Sequence, residues 1–297
     1  MKLNTKINLT LFDYITFNSC ALCGSNNIKK IECIENEPEV NYFFCKDCQV
    51  NFTDKQLTVK STKDLYLNYF DNHQLKTGIE SSLLGEHLYN FFKHKNFSSK
   101  SLKILDFGGG DGSIVKYFAN QLETKNDFNN TILDVFDVYE CEKKLDGVNY
   151  LSTESDIEIN KYDIIIASAV LEHLNSPLSN LQLLFNALKK NGYFYARTPY
   201  RLPLRFLISK ISGKKIGMQF PWHLFDMGRP FWNHLPSLIY SKFGLEVKIE
   251  LSQPSLVQSP YKENRKKFIF AKLLKMPGYV FKNWNYVGGW EVFIKKV

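Results

Sequence analysis

Long apolar runs are missing from this 297-residue chain. No stretch approaches the roughly 20 residues that cross a bilayer, and no basic-then-apolar leader with a small-residue cleavage site opens it. These absences argue against a membrane-spanning or secreted protein, so a soluble, cytoplasmic one is expected. Internal repeats and low-complexity tracts are also absent, which leaves ordinary globular domains, about two for this length. A hydrophobic fraction of 44% is enough for a packed core.

Acidic side chains are scarce in the C-terminal third. Residues 197–297 hold 18 Lys+Arg against 5 Asp+Glu (+13), leaving 20 against 25 (−5) for residues 1–196. Such asymmetry suits an anionic partner, namely nucleic acid, a phosphorylated substrate or an anionic membrane surface, and equally a solvated basic face. Cysteine is sparse too, but four of the six residues form two pairs, Cys20/Cys23 and Cys45/Cys48, with 21 residues between them. Without a secretion signal this pairing favours a metal over disulfides. Residues 17–53 therefore read as a small zinc ribbon, in which four thiolates close a tetrahedral shell around a structural Zn2+ with no open position for chemistry. Two redox pairs are the alternative. Cys33 and Cys141 stand apart.

Residues 54–100 are helix-like and aromatic, with Leu65, Tyr66, Tyr69 and Phe70, then Leu83, Leu84, Leu88, Phe91 and Phe92 at spacings near three and four. They read as a link to the main domain. His73, His87 and His94 in this stretch read as surface or packing residues. From about Ser101 short apolar runs alternate with amphipathic stretches, giving candidate strands at 102–106, 131–136, 148–151, 162–167 and 192–197 with helices between. That order implies an α/β fold with a parallel, doubly wound sheet. Two further strands are expected at 244–251 and 289–297, separated by a basic, aromatic connection.

Glycine is concentrated where the first strand ends, in "ILDFGGGDGSI" (104–114). A loop at the carboxyl end of a parallel strand is where doubly wound sheets bind ligands. This loop lacks the Gly-Lys-Ser/Thr ending that cradles a triphosphate, and it opens with a carboxylate, Asp106, which suits a cationic or amine-bearing ligand. The next strand ends at Asp137, placed to accept hydrogen bonds from an adenosine ribose. The two features together describe an adenosine without phosphates; the alternative for Asp137 is a helix cap.

"LDFGGGDG", "VFD", "YDIIIASAVLEHLNSP" and "ALKKNGYFYARTP" occur in an order and spacing that resembles the class I S-adenosylmethionine-dependent methyltransferases, across about residues 85–297. The resemblance implies a Rossmann-like methyltransferase sheet, mostly parallel with an antiparallel last strand, preceded by the zinc ribbon. It implies that Asp106, Gly108, Gly110 and Gly112 surround the methionine part of S-adenosylmethionine and that Asp137 holds its ribose. Asp156 matches the adenine-contact region loosely, with a solvated loop as the other reading, and Ser168 with Ala169 would line the site floor. Gly109, where many members carry cysteine or another small residue, is read as needing only small size. The expected division is a ribbon module at 1–55, a helical linker at 56–100 and a methyltransferase domain at 101–297 with an acceptor-side insertion at about 198–235.

Methyl transfer from a sulfonium mainly needs alignment, and a hydroxyl acceptor also benefits from a base, for which histidine is suited. His173, in "VLEHLNSP", and His223, in "FPWHLFDMGRPFW", are the candidate catalytic residues; helix initiation for the first and loop closure for the second are the alternatives. His234 reads as structural. Residues 197–215 combine Arg197, Arg201, Arg205, Lys210, Lys214 and Lys215 with an apolar face, which reads as a lid over the active site or as a peripheral contact with the inner face of the membrane.

The "CxxCGS" and later "YxxCxxCxxxFT" elements resemble zinc-containing methyltransferases of glycan and natural-product pathways; the other resemblance is to ribosomal RNA guanine methyltransferases with an N-terminal zinc module. Positive charge should accompany the zinc module of an RNA enzyme, and the first 100 residues show no such excess. The expected acceptor is therefore a small molecule, a sugar or a glycan-pathway compound. A zinc-containing rRNA methyltransferase and a non-catalytic cofactor-binding protein are the alternatives.

Overall fold

A computed structural model describes residues 7–69, 81–125, 128–139, 141, 144–213, 217–255, 265–281 and 283–297. Phe70, His73, Lys214 and Lys215 lie outside the described residues. The N-terminal part places β1 (Tyr14–Thr16) against β5 (Lys55–Leu57), and folds β2 (Ile28–Asn36), β3 (Glu39–Cys45) and β4 (Asn51–Thr53) into an antiparallel sheet. Helices α1 (Val59–Tyr69) and α2 (Ser81–Phe92) follow. The main domain then runs β6 (Lys103–Phe107), α3 (Ser113–Lys125), β7 (Ile132–Phe136), β8 (Asn149–Leu151), β9 (Tyr162–Ser168), α4 (Pro177–Ala187), β10 (Leu188–Tyr200), α5 (Leu202–Ser212), β11 (Phe225–Asp226), α6 (Arg229–Phe243), β12 (Val247–Pro254), α7 (Arg265–Val280) and β13 (Gly288–Lys296).

Seven strands form one sheet in the order β12-β13-β10-β9-β6-β7-β8. The pairs β10/β9, β9/β6, β6/β7 and β7/β8 are parallel, whereas β13 runs antiparallel to both β10 and β12. This is the Rossmann-like methyltransferase sheet expected from the sequence, with its antiparallel last strand. Central strands such as "DIIIAS" are apolar almost throughout because helices cover both faces. On one face α3 buries Ile114, Val115, Phe118 and Leu122, three to four residues apart. Helix α2 adds Leu84, Leu88 and Phe92 to the same cluster, so this part of the 56–100 stretch builds the main core.

The other face shows a relationship that local pattern did not carry. Val50, Phe52 and the ribbon cysteines share one apolar cluster with Phe185, Phe225 and Trp232. Strand β11, from the segment after β10, pairs with β4 in the register Phe225↔Phe52 and Asp226↔Asn51, and so becomes the fourth strand of the ribbon sheet. Helix α5 is clamped to the same sheet by Arg205, whose Nε and Nη2 donate to the two carboxylate oxygens of Glu32 at 2.6 and 3.1 Å. Both side chains are nearly buried, which makes this bidentate pair far less screened than a surface ion pair.

Candidate functional site

The glycine loop turns sharply at the carboxyl end of β6 and is tied to its neighbours at each step. The Gly108 N–H donates to the Phe136 carbonyl at 2.7 Å, and Gly108 adopts φ +73°, where a Cβ would lie 2.5 Å from Val170 Cγ2. Position 109 is tighter than the sequence reading allowed: a Cβ there would lie 2.6 Å from Asp106 Cγ, so the carboxylate beneath the loop demands glycine rather than merely a small residue. Asp137 reaches back over the loop, its Oδ2 accepting from the Gly110 N–H at 2.9 Å and its Oδ1 from the Tyr139 N–H at 3.0 Å.

Asp106 is 1% exposed, and its Oδ2 is a buried atom with no hydrogen-bond partner. Burial pushes its carboxyl up to about 7, and the nearby charges of Asp137 and Asp111 add to the rise. A buried carboxylate with one unpartnered oxygen under a bare backbone fits a cationic ligand, because an ammonium group would supply both the missing donor and the missing charge. Ser168, at the end of β9, accepts from Arg197 Nε at 3.1 Å, and Ala169 beside it takes φ +59° with its N–H on the Arg197 carbonyl. Gly112 closes the loop, its N–H donating to the Gly109 carbonyl at 3.0 Å.

Asp156 has a local task. It sits exposed in the turn Glu154–Asp156, and its Oδ2 accepts from the N–H groups of Ser152 (3.0 Å) and Thr153 (2.8 Å). The bond from Thr153 is also the main cause that lowers its carboxyl.

The two candidate histidines meet. His173 ends the turn Leu171–His173 after β9, and its Nδ1 lies 2.7 Å from the Trp222 carbonyl, to which it donates. The Leu224 N–H donates to the Glu172 carbonyl at 2.8 Å, closing the same clasp from the other side. His223 is thereby held with its ring centroid 4.9 Å from that of His173, at 74°. Its Nδ1 is buried without a partner, and burial, with His173 and Arg201 adding, holds the ring well below 6.5. Beneath them Glu172 is 2% exposed, its carboxyl raised by burial, with Oε1 3.8 Å from His173 Nε2. His234 lies on α6, outside this clasp.

A second polar group went unread in the sequence. Glu291 on β13 is fully buried and accepts from the Tyr195 hydroxyl (3.2 Å) and Gln253 Nε2 (2.8 Å), with His87 Nε2 3.1 Å from its Oε1 but not aligned for a hydrogen bond. Glu291 pairs in register with Arg197, next to the end of β9. The available signal was one carboxylate inside the apolar run "WEVFI", and nothing local pointed to His87 as its neighbour.

In the ribbon the four Sγ atoms of Cys20, Cys23, Cys45 and Cys48 lie within 4.8 Å of one another, with Cys20–Cys48 at 3.6 Å and Cys23–Cys45 at 3.7 Å. Tetrahedral zinc with Zn–S near 2.3 Å sets sulfurs about 3.8 Å apart, so the cluster has the right size for a Zn2+ ion. Shared protons divide the thiols: hydrogen bonding, chiefly with Cys20, lowers Cys23 to about 7 and Cys45 further, while Cys20 and Cys48 are raised. Cys33 lies on β2 and donates to the Glu35 carbonyl instead.

The profile of the family described as "Methyltransferase domain" matches residues 77–235, more than half of the chain. The chain belongs to the methyltransferase-domain family. It is an S-adenosylmethionine-dependent methyltransferase, the class expected from its motifs, and the matched span contains the glycine loop, Asp137 and both clasped histidines. No curated protein matches the sequence. Solved structures of similar fold include the plantazolicin methyltransferase BpumL in complex with a triazolic desmethylPZN analog and SAH, at 17% identity and TM-score 0.48 over 79% of this chain and 90% of that one. An S-adenosylmethionine-dependent methyltransferase from Mesorhizobium loti aligns at 14% identity and TM-score 0.44, over 72% and 98%. The 1,6-didemethyltoxoflavin-N1-methyltransferase of Burkholderia thailandensis, with bound 1,6-didemethyltoxoflavin and S-adenosylhomocysteine, aligns at 13% and 0.44, over 80% and 86%. At these identities the likeness is one of fold.

Proposed function

We propose that this methyltransferase holds S-adenosylmethionine across the carboxyl ends of β6 and β7 and methylates a small-molecule, sugar or glycan-pathway acceptor beside His173 and His223. The observation that carries the cofactor reading is the orphaned Asp106 oxygen beneath the glycine loop. Asp106 receives the methionine ammonium. Asp137 already accepts two backbone N–H groups, and each of its oxygens keeps a second lone pair for a ribose hydroxyl. Gly108, Gly110 and Gly112 let the backbone approach the ligand, Ser168 borders the site, and Asp156 stiffens the loop after β8. Bound there, the cofactor supplies an electrophilic methyl group on a sulfonium.

His223 is the favoured base. Its lowered pKa keeps it neutral, so a lone pair is available to take the proton of an acceptor hydroxyl as the oxygen–methyl bond forms. His173, with Nδ1–H committed to Trp222, positions the His223 segment. For the acceptor class, the support is that two cations of residues 197–215 are engaged internally, Arg197 with Ser168 and Arg205 with Glu32, rather than lining a basic groove for RNA. In the ribbon, a structural Zn2+ held by Cys20, Cys23, Cys45 and Cys48 would fix the sheet that β11 completes.

The test is calorimetry followed by profiling of cell extract with isotopically labelled cofactor. We expect micromolar-order affinity for S-adenosylmethionine, about −8 kcal/mol, and label in a low-mass or glycan fraction. Label in ribosomal RNA would favour the RNA enzyme, binding without turnover the non-catalytic one, and no binding would reject the cofactor site.

A further inference from the structure

Helix α7 turns an apolar stripe to the outside as well as packing inward. A surface helix ordinarily turns its apolar stripe to the core and its charges to water. Here the inner side carries Lys275, which is 6% exposed and donates through Nζ to the Ser255 carbonyl at 2.5 Å. The Tyr279 hydroxyl donates to the Pro254 carbonyl at 3.2 Å, and the Trp284 indole N–H to the Leu274 carbonyl at 2.8 Å. Polar bonds thus anchor the helix. The outer side presents Ile269, Phe270, Leu273, Met276, Val280 and Phe281, which are 46, 59, 61, 54, 76 and 65% exposed. Residues 269, 273, 276 and 280 follow one another at four, three and four positions, so they form a single stripe along the helix.

Charge selects the partner. Arg265 and Lys266 at the start of α7 and Lys272 beside the stripe are exposed. From Arg265 to the C-terminus the only Asp or Glu is Glu291, which is fully buried. An apolar stripe bordered by cations, with the buried Glu291 the only acidic residue among the described residues from Arg265 onward, matches the acyl boundary and headgroups of an anionic bilayer, which a neutral protein surface would not reward. We propose that α7 seats in the plane of an anionic phospholipid surface, with its Ile269–Leu273–Met276–Val280 stripe entering the acyl boundary and Arg265, Lys266 and Lys272 meeting the headgroups. Within residues 197–215, read from sequence as a lid or as a peripheral membrane contact, Arg205 of α5 is clamped to the ribbon, whereas the outward apolar stripe of the proposal lies on α7. This inference does not depend on the methyl-transfer reading.

Sedimentation of the full chain with phosphatidylcholine vesicles, and with vesicles of phosphatidylcholine and phosphatidylglycerol in equimolar mixture, tests it. The expected result is pelleting with the anionic vesicles alone, reversed by high salt, and weakened at least about tenfold by Leu273→Glu combined with Val280→Glu. These exposed positions should leave the melting temperature unchanged; Lys266→Glu, which removes charge without touching the stripe, provides a second arm with a smaller loss. No pelleting with anionic vesicles, equal pelleting with both compositions, or pelleting that survives both variants would overturn the proposal. A wild-type dimer that Leu273→Glu disperses, without vesicle binding, would assign the stripe to a second copy of the chain and overturn it equally.

Discussion

The rings of His173 and His223 stand 4.9 Å apart because each is pinned by the other's segment: His173 Nδ1 donates to the Trp222 carbonyl, and the Leu224 N–H donates to the Glu172 carbonyl. The clasp separates the two roles by experiment. His223→Ala should lower turnover by about 10²–10⁴ with cofactor affinity nearly intact, since a base acts on the transition state. His173→Ala should lower turnover, cofactor affinity and melting temperature together. Wild-type turnover in His223→Ala would leave the "PWHLFDM" segment as packing.

The buried His223 also predicts a pH dependence of stability. Its folded pKa lies well below 6.5, so above 6.5 the ring is neutral in folded and unfolded chains and contributes nothing. As pH falls through 6.5 the unfolded ring takes a proton that the folded ring refuses, and stability is lost until the folded pKa is passed. Melting temperature measured from pH 8 to pH 5, on the order of the histidine range, should fall less in His223→Ala than in wild type; equal falls would show that another group titrates.

Asp106 behaves in the opposite sense. Its folded pKa of about 7 exceeds the ordinary 3.8, so the extra stability of the protonated form is complete below 3.8 and is lost as pH rises through 7. A cationic ligand reverses that preference by favouring the carboxylate. Binding of S-adenosylmethionine near pH 7 should therefore release a proton, visible as a dependence of calorimetric enthalpy on the buffer's ionisation heat. Asp106→Asn should abolish the release and weaken binding. Asp137→Ala should weaken binding by roughly 1.5–3 kcal/mol, through the lost ribose contact and the slackened Gly110 tether; unchanged affinity would remove Asp137 from the site.

For the ribbon, metal analysis of protein prepared without chelator should give one zinc per chain. Cys45→Ser should release it and, because β4 pairs with β11 immediately after the His223 segment, should also lower turnover. Cys33→Ser should retain the metal. Stoichiometry near zero would reject the ribbon.

The Glu291 cluster gives a prediction about stability. Replacing Glu291 by Ala leaves the Tyr195 hydroxyl and the Gln253 amide without their acceptor and should cost about 1–3 kcal/mol in chemical denaturation. A loss within the range of a surface substitution would show that water replaces the carboxylate.

Much of the molecule was legible along the chain. The runs "KILDF" and "DIIIAS" announced parallel strands because a strand covered on both faces must be apolar throughout, and the glycines after Asp106 marked where a backbone is approached closely. The cysteine pairs announced their cluster because CxxC geometry is local. These features need only a few consecutive residues to exist, so sequence by itself determined the sheet, the glycine turn and the cysteine pairs.

Tertiary structure alone decided what depends on distant partners. Phe225 and Asp226 carry no strand signal in so short a piece, and they form β11 only because Phe52 and Asn51 offer an open edge. Whether position 109 tolerates a side chain depended on where the Asp106 carboxylate packs, and whether His173 and His223 meet depended on a clasp between loops after two different strands. The burial of Glu291 and the outward face of α7 were equally hidden, because a residue's periodicity records which side chains share a face but only the folded neighbours fix which face meets the core.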